Sequence, residues 1–261
     1  MTILLGILTC RSVFSESKVS PIMKVAEDPN CHLTFGWTEW LPLQYLNSQG
    51  ELQGLQIEFV NSIAKELGCR LVFMQGSWVN LIDKVKRGEV DFISNATITE
   101  QRSTYAYFSN AYREDVFTLY VRSIDQKNYP QNNINDLKTS QFKLGLTRNF
   151  LYGEAIESWQ RDQNYNQFLS YADSTKENAQ RLITAEIDGF LEDPYVISYQ
   201  LVSQQLSQIS KLKITLFGYQ SRFMFSKKTV SPERIERFNQ VLAKVLLLPR
   251  FQGSWFAMEK D

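Results

Sequence analysis

Histidine is nearly missing from this chain: His32 is the only one in 261 residues. Metal sites built on imidazole, and most nucleophile relays through a Ser-His or Cys-His pair, therefore lack their material. His32 stands beside Cys31, but successive residues of a strand point to opposite faces, so the two do not make such a relay. Cysteine is scarce too. Only Cys10, Cys31 and Cys69 occur, with no C-x-x-C pair, which argues against zinc-ribbon and thioredoxin-like chemistry. Neither sign of charge is in excess, because 28 Lys and Arg balance 28 Asp and Glu. No surplus is left to neutralise nucleic-acid phosphates or anionic lipid, and no apolar run is long enough to span a bilayer.

What remains is the composition of a globular protein, 43% hydrophobic and 21% charged, with length for one large domain or two modest ones. At the start, Met1 to Cys10 form a short apolar run, and Val13 and Ser15 satisfy a small-residue cleavage rule. Residues 1–17 are thus a candidate secretory signal, although the basic start is missing and Arg11 interrupts the run. Its removal leaves two cysteines, a count suited to one disulfide in an oxidising compartment.

Periodicity gives the organisation. CHLTFGW from Cys31 reads as a strand. Leu55, Phe59, Val60, Ile63, Ala64 and Leu67 recur at helical spacing, with Gly68 as the stop. CRLVFM is a second strand, Val79 to Arg87 an amphipathic helix ended by Gly88, and VDFIS a short buried strand. Strand, helix, strand, helix, strand at these lengths predicts a parallel sheet with right-handed crossovers. The passage returns later: Glu186, Ile187 and Asp188 echo Glu89, Val90 and Asp91, FKLGLT and KITLF read as strands, and Ser174 with Glu177 forms a capping box. Two lobes of one architecture are expected.

In open parallel sheets a ligand sits beyond the carboxyl ends of the strands. That places Asn95, Ala96 and Thr97 from one lobe, and Glu192 and Asp193 from the other, on a shared cleft. Thr99 is placed to cap a helical turn from which Arg102 projects, and free backbone N–H groups with one guanidinium make a carboxylate site. Asp193 opposite suits an ammonium group. Together they form a receptor for a zwitterion. On the far edge of the first lobe, Cys31 and Cys69 each begin one of two neighbouring parallel strands, a separation that permits a disulfide; the alternative is two buried free thiols.

The order of motifs resembles one family. W-L-P-L at Trp40 to Leu43, Gly50 to Gly54, W-x-x-L-I at Trp78 to Ile82, G-x-V-D at Gly88 to Asp91, T-I-T-E-Q-R from Thr97 to Arg102, F-S-x-x-Y from Phe108 to Tyr112, I-D-x-x-x-x-D from Ile187 to Asp193, and S-K-K at Ser226 to Lys228 are similar to those of the family 3 solute-binding proteins of polar amino-acid ABC transporters. The resemblance implies an α/β fold, the two-lobed type II periplasmic binding protein fold, each lobe an open mostly parallel sheet flanked by helices. Lobe one is expected over 32–122 plus 218–258 and lobe two over 123–217. It also implies a monomer in the periplasm that hands a small molecule to an ABC permease of the inner membrane without a cofactor, a metal or covalent chemistry. By the same resemblance Trp40 stacks on the ligand, Thr97 and Arg102 hold an α-carboxylate, and Asp193 holds the α-amine. Trp78 is read as either cleft or core, and Tyr105, Tyr107 and Tyr112 as packing. Where the family carries Gly-Thr or Gly-Ser-Thr, this chain reads Arg148-Asn149-Phe150-Leu151-Tyr152; Asn149 replaces glycine in a left-handed conformation, but the hydroxyls are gone. Other readings stand beside this one: a dehydratase of cyclic carboxylates, as some relatives of the family are, with Glu192, Asp193 or Glu154 as its acid, and an orphan sensor subunit.

Overall fold

A computed structural model describes residues 31–202 and 207–252; the candidate signal segment lies outside them. The helix expected over Leu55–Leu67 forms over those residues (α1), with Gly68 closing it in the left-handed conformation at φ 73°. Its buried face, with Ile57, Phe59, Val60, Ile63 and Leu67, packs into the first core beside Phe223 and Phe238. Each such apolar side chain contributes about 1.5–3 kcal/mol on burial.

The first lobe's strands are β1 (His32–Trp37), β2 (Tyr45–Leu46), β3 (Leu52–Gln53), β4 (Arg70–Gln75), β5 (Phe92–Ala96) and β6 (Ala106–Phe108), with helices α1, α2 (Trp78–Arg87) and α3 (Glu100–Ser103). The chain then enters β7 (Arg113–Arg122), β8 (Leu144–Thr147), α4 (Glu154–Arg161), β9 (Leu169–Ala172), α5 (Thr175–Ile183), β10 (Gly189–Glu192), α6 (Pro194–Val202), β11 (Ile209–Ser226) and α7 (Pro232–Leu246). The strand order β4-β1-β5-β11-β7-β10-β8-β9 holds two copies of one pattern. In each copy a central strand (β1 or β8) pairs in parallel with both neighbours, and the third strand pairs antiparallel with a long strand, β11 or β7.

The echo seen in the sequence is a repeat of hydrogen bonds. Asp91 donates its N–H to Thr34 O at 3.0 Å and accepts from Thr34 N on Oδ2 at 2.7 Å. Asp188 does the same with Lys143, at 2.9 and 2.8 Å. The residues before them turn back alike: Glu89 and Val90 donate to Lys84 O, and Glu186 and Ile187 to Arg181 O. Gly88 and Ala185, both at positive φ, make that turn. This turn takes up Val90 and Asp91, which is why β5 starts two residues later than the apolar run predicts. The two central strands also need glycine at one place. A Cβ on Gly36 would stand 2.9 Å from Ile93, and one on Gly145 2.5 Å from Ile187, both inside van der Waals contact.

KITLF proves to be a fragment of β11, an 18-residue strand. Its length follows from a double duty: Ile209–Ser221 pairs with β7, while Arg222–Phe225 pairs with β5. β7 likewise passes from Arg113, paired with Ser221, to Thr118–Val121, paired with β10. Two antiparallel strands thus run from one half-sheet into the other. At the far edge of lobe one, Cys31 and Cys69 are joined by a disulfide, with Cα atoms 4.7 Å apart.

Candidate functional site

The carboxyl end of β5 is shaped by Asn95, which adopts φ 56°. Its N–H donates to the Tyr112 hydroxyl at 2.9 Å, and that hydroxyl donates back to Asn95 Oδ1 at 2.9 Å. Tyr112 is therefore a clamp on the strand end as well as packing. Thr99 caps α3, its hydroxyl accepting from Arg102 N at 3.1 Å. The Arg102 guanidinium turns inward and is 8% exposed. It donates to two carbonyl oxygens, Thr97 O at 3.0 Å and Asn149 O at 3.2 Å, and its carbon lies 5.9 Å from the Trp78 ring. Burial lowers its pKa, yet a guanidinium stays charged in proteins. Among the described residues no carboxylate lies within ion-pair distance of it. A buried cation held by carbonyl dipoles and an aromatic ring, with no acid beside it among the described residues, suits an anion.

From the second lobe, Asn149 adopts φ 60° as its replacement of glycine predicts, and this turns its carbonyl toward lobe one. The Trp78 Nε1–H reaches the same oxygen at 3.4 Å. Phe150 lies between the two tryptophans, edge-on to Trp40 at 6.3 Å and to Trp78 at 6.2 Å. A cavity between the lobes is lined by Trp40, Trp78, Asn95, Thr97, Arg102 and Asn149. Six of the seven residues singled out from the sequence meet there, Trp78 both lining the cavity and packing against the core of Leu81 and Val85.

The seventh does not line the cavity. Asp193 is 2% exposed, and both of its carboxylate oxygens are engaged inside the protein. Oδ1 accepts from Tyr195 N at 2.8 Å, the bond of a residue capping α6, and Oδ2 accepts from Arg113 Nη2 at 2.7 Å. Arg113 also donates to Asp115 Oδ1, from Nε at 3.3 Å and from Nη2 at 3.0 Å, and the Ser221 hydroxyl donates to that oxygen at 2.6 Å. Burial opposes the charge on Arg113, but Asp193 and Asp115 hold its pKa above the ordinary arginine range. Burial pushes the Asp115 carboxyl up, with Arg113 and Ser221 pulling it back. Arg113, Asp115 and Phe117 line the cavity, and sequence reasoning missed all three. A signal was present: on β7, Arg113 and Asp115 are two apart and share a face, an oppositely charged pair leading into the mostly apolar run Val116–Val121.

The acids considered for proton transfer lie elsewhere. Glu192 is fully buried behind the cavity, hydrogen-bonded to the Thr175 hydroxyl and to Asp193 N. Burial raises its carboxyl to about 7 against these bonds and a weaker contribution from the Trp40 indole. Glu154 pairs with Arg161 at the surface.

The fold has known counterparts. An ancestral arginine-binding protein bound to arginine superposes with a TM-score of 0.72 at 22% identity, over 86% of this chain and 98% of that one, which shows the type II periplasmic binding protein fold. A probable histidine-binding protein of Neisseria gonorrhoeae is 30% identical over 77 residues, 29% of each chain. The L-cystine-binding protein TcyJ of Escherichia coli K12 is 24% identical over 153 residues, 58% of this chain and 54% of that one. A cyclohexadienyl dehydratase of Pseudomonas aeruginosa is 30% identical over 78 residues, 30% of this chain and 29% of the enzyme. The matched segments thus span about half or less of these relatives. The description "Bacterial extracellular solute-binding proteins, family 3" fits residues 33–247, so that nearly every element named above falls within it, and the chain belongs to that family.

Proposed function

We propose that the protein binds a small zwitterion, an amino acid or close analogue, in the cleft and delivers it to an ABC permease of the inner membrane. The observation that carries this reading is the buried Arg102 guanidinium, which faces the cavity without an acidic partner among the described residues. Trp40 and Trp78 supply flanking aromatic surface, and Thr97 lines the same cavity. Closure follows from chain order: lobe one over 32–122 and 218–258 rotates on lobe two over 123–217, with the β7 and β11 strands absorbing the rotation. No covalent chemistry is required of the site. A periplasmic monomer released from a signal segment suits such a role, and among the described residues no helix is long and apolar enough to cross a membrane.

A ligand that binds only the folded chain raises its melting temperature by mass action. The test is a thermal-shift screen of polar amino acids, opines and small carboxylates, followed by solution scattering. At least one compound is expected to raise Tm and shrink the radius of gyration. A screen without any shift sinks the binding reading, and tight binding with unchanged scattering sinks the hinge. Whether a permease gene lies beside this one separates transport from a sensor role.

A further inference from the structure

The zwitterion reading leaves open which acid meets the ammonium group. Resting on that reading, we infer that the ligand's ammonium group is received by Asp115 of β7 and not by Asp193, and that Arg113 is the positioning residue that ties the two acids together. Three observations carry the assignment. Asp193 is 2% exposed and does not line the cavity, with one carboxylate oxygen turned to cap α6 and the other bound to Arg113. Asp115 lines the cavity, and the bonds it accepts from Arg113 and Ser221 all fall on Oδ1. Its Oδ2 carries no protein hydrogen bond among the described residues.

The charges agree with that placement. One guanidinium between two carboxylates leaves one negative charge over, and of the two acids Asp115 is the one at the cavity wall. Arg102 lines the same cavity, a positive charge with no acidic partner among the described residues. The pair Arg102 and Asp115 is therefore the zwitterion receptor, Arg102 from lobe one and Asp115 from the strand by which the chain first passes toward lobe two. Trp40 stacks its ring on the Arg113 guanidinium, 5.7 Å from its carbon, which fixes the fork that orients Asp115. Asp193 becomes a structural member: it holds Arg113 from behind and caps a helix.

The test uses the full chain and, as probes, the twenty common L-amino acids and L-cystine by isothermal titration. The tightest binder is then compared with its deaminated carboxylic acid on wild type and on Asp115→Asn. The expected result is a loss of roughly 30-fold or more for the amino acid, of the order of a charged hydrogen bond, with affinity for the deaminated acid nearly unchanged. If Asp115→Asn keeps the wild-type preference for the amino acid over its deaminated form, the assignment is wrong while the zwitterion reading stands. A wild type that binds none of these probes and none of the opines in the thermal-shift screen removes both. Because Asp115→Asn disturbs a buried ion pair, a crystal structure of wild type with the tightest binder decides independently. The ammonium nitrogen is expected within about 3.2 Å of Asp115, and an ammonium on Asp193, with Arg113 swung away, overturns the proposal.

Discussion

The two lobes are built alike beneath and differently at the rim. Underneath, each has a central strand with one glycine packed beneath side chains of the helix and turn that lead to the next strand, a turn at positive φ, and an aspartate that trades two hydrogen bonds with the central strand. At the rim, the equivalent strand ends diverge. β5 turns left-handed at Asn95 and leads to a buried cation with no acidic partner among the described residues. β10 runs straight into α6, and its acid, Asp193, is already satisfied by protein donors. The contrast teaches that the bonds forming the fold and the groups lining the cavity are separable sets, so the rims of the two lobes can differ while the scaffold beneath stays the same.

The largest expected effect tests that asymmetry directly. Arg102→Ala leaves a desolvated ligand carboxylate unpaired and should cost on the order of 3 to 5 kcal/mol in binding; calorimetry showing affinity within about twofold of wild type would remove lobe one's claim to the anion. Next comes the disulfide, whose two cysteines, 38 residues apart, both belong to lobe one. Reduction should cost about 4 kcal/mol by loop-closure entropy, seen as a lower urea midpoint, with amide exchange rising in β1 and β4 before β8 and β9. Equal loss of protection in both lobes would contradict it.

A third difference is electrostatic and belongs to lobe two. Buried Glu192 holds its proton up to about 7, whereas an ordinary glutamate releases it near 4.5. Between those values the folded chain binds more protons than the unfolded one, so stability falls as pH rises through the window. The full change is on the order of 3 kcal/mol. Denaturant titrations from pH 4 to 8 should show a steeper decline for wild type than for Glu192→Gln, and parallel curves would refute the burial argument. The smallest effects probe the shared scaffold. Asp91→Ala strands a half-buried N–H and should cost about 2 kcal/mol, while Asp188→Ala, whose bond is exposed, should cost about 1 kcal/mol. Thermal melts returning the reverse order would show the repeat to be unequal in its support.

Much of this was legible in the sequence because periodicity reports which faces are buried. The apolar spacing located α1, and the Gly88 stop located the end of α2, whose start is one residue earlier at Trp78 because Ser77 caps it through Asn80 N. The capping box formed with a shift of one place: Ser174 accepts from Glu177 N, but Glu177 reaches back to Asp173 N. Asn95, Thr97 and Arg102 were legible because strand ends point to the cleft whatever the side chains, and Trp40, Trp78 and Asn149 through the resemblance of their motifs. The occupation of Asp193 was not. Its partner Arg113 is 80 residues away in sequence, on a strand that pairs with both half-sheets, and periodicity does not report long-range charge pairing. The length of β11 escaped for a related reason, since a strand that changes neighbours midway changes which side is buried and breaks its own alternation.

The Trp78 indole nitrogen rests on a carbonyl oxygen of the opposite lobe, and this gives the molecule an optical gauge. Of its five tryptophans, Trp37 and Trp159 are sealed in separate cores, so their emission should stay blue whatever the cleft does. Trp78 is half-buried at the seam, and any movement that parts it from Asn149 admits water to its ring. Emission that shifts to the red on opening and returns on adding a bound compound would follow the cleft in real time, with no label attached and two buried indoles as the built-in reference.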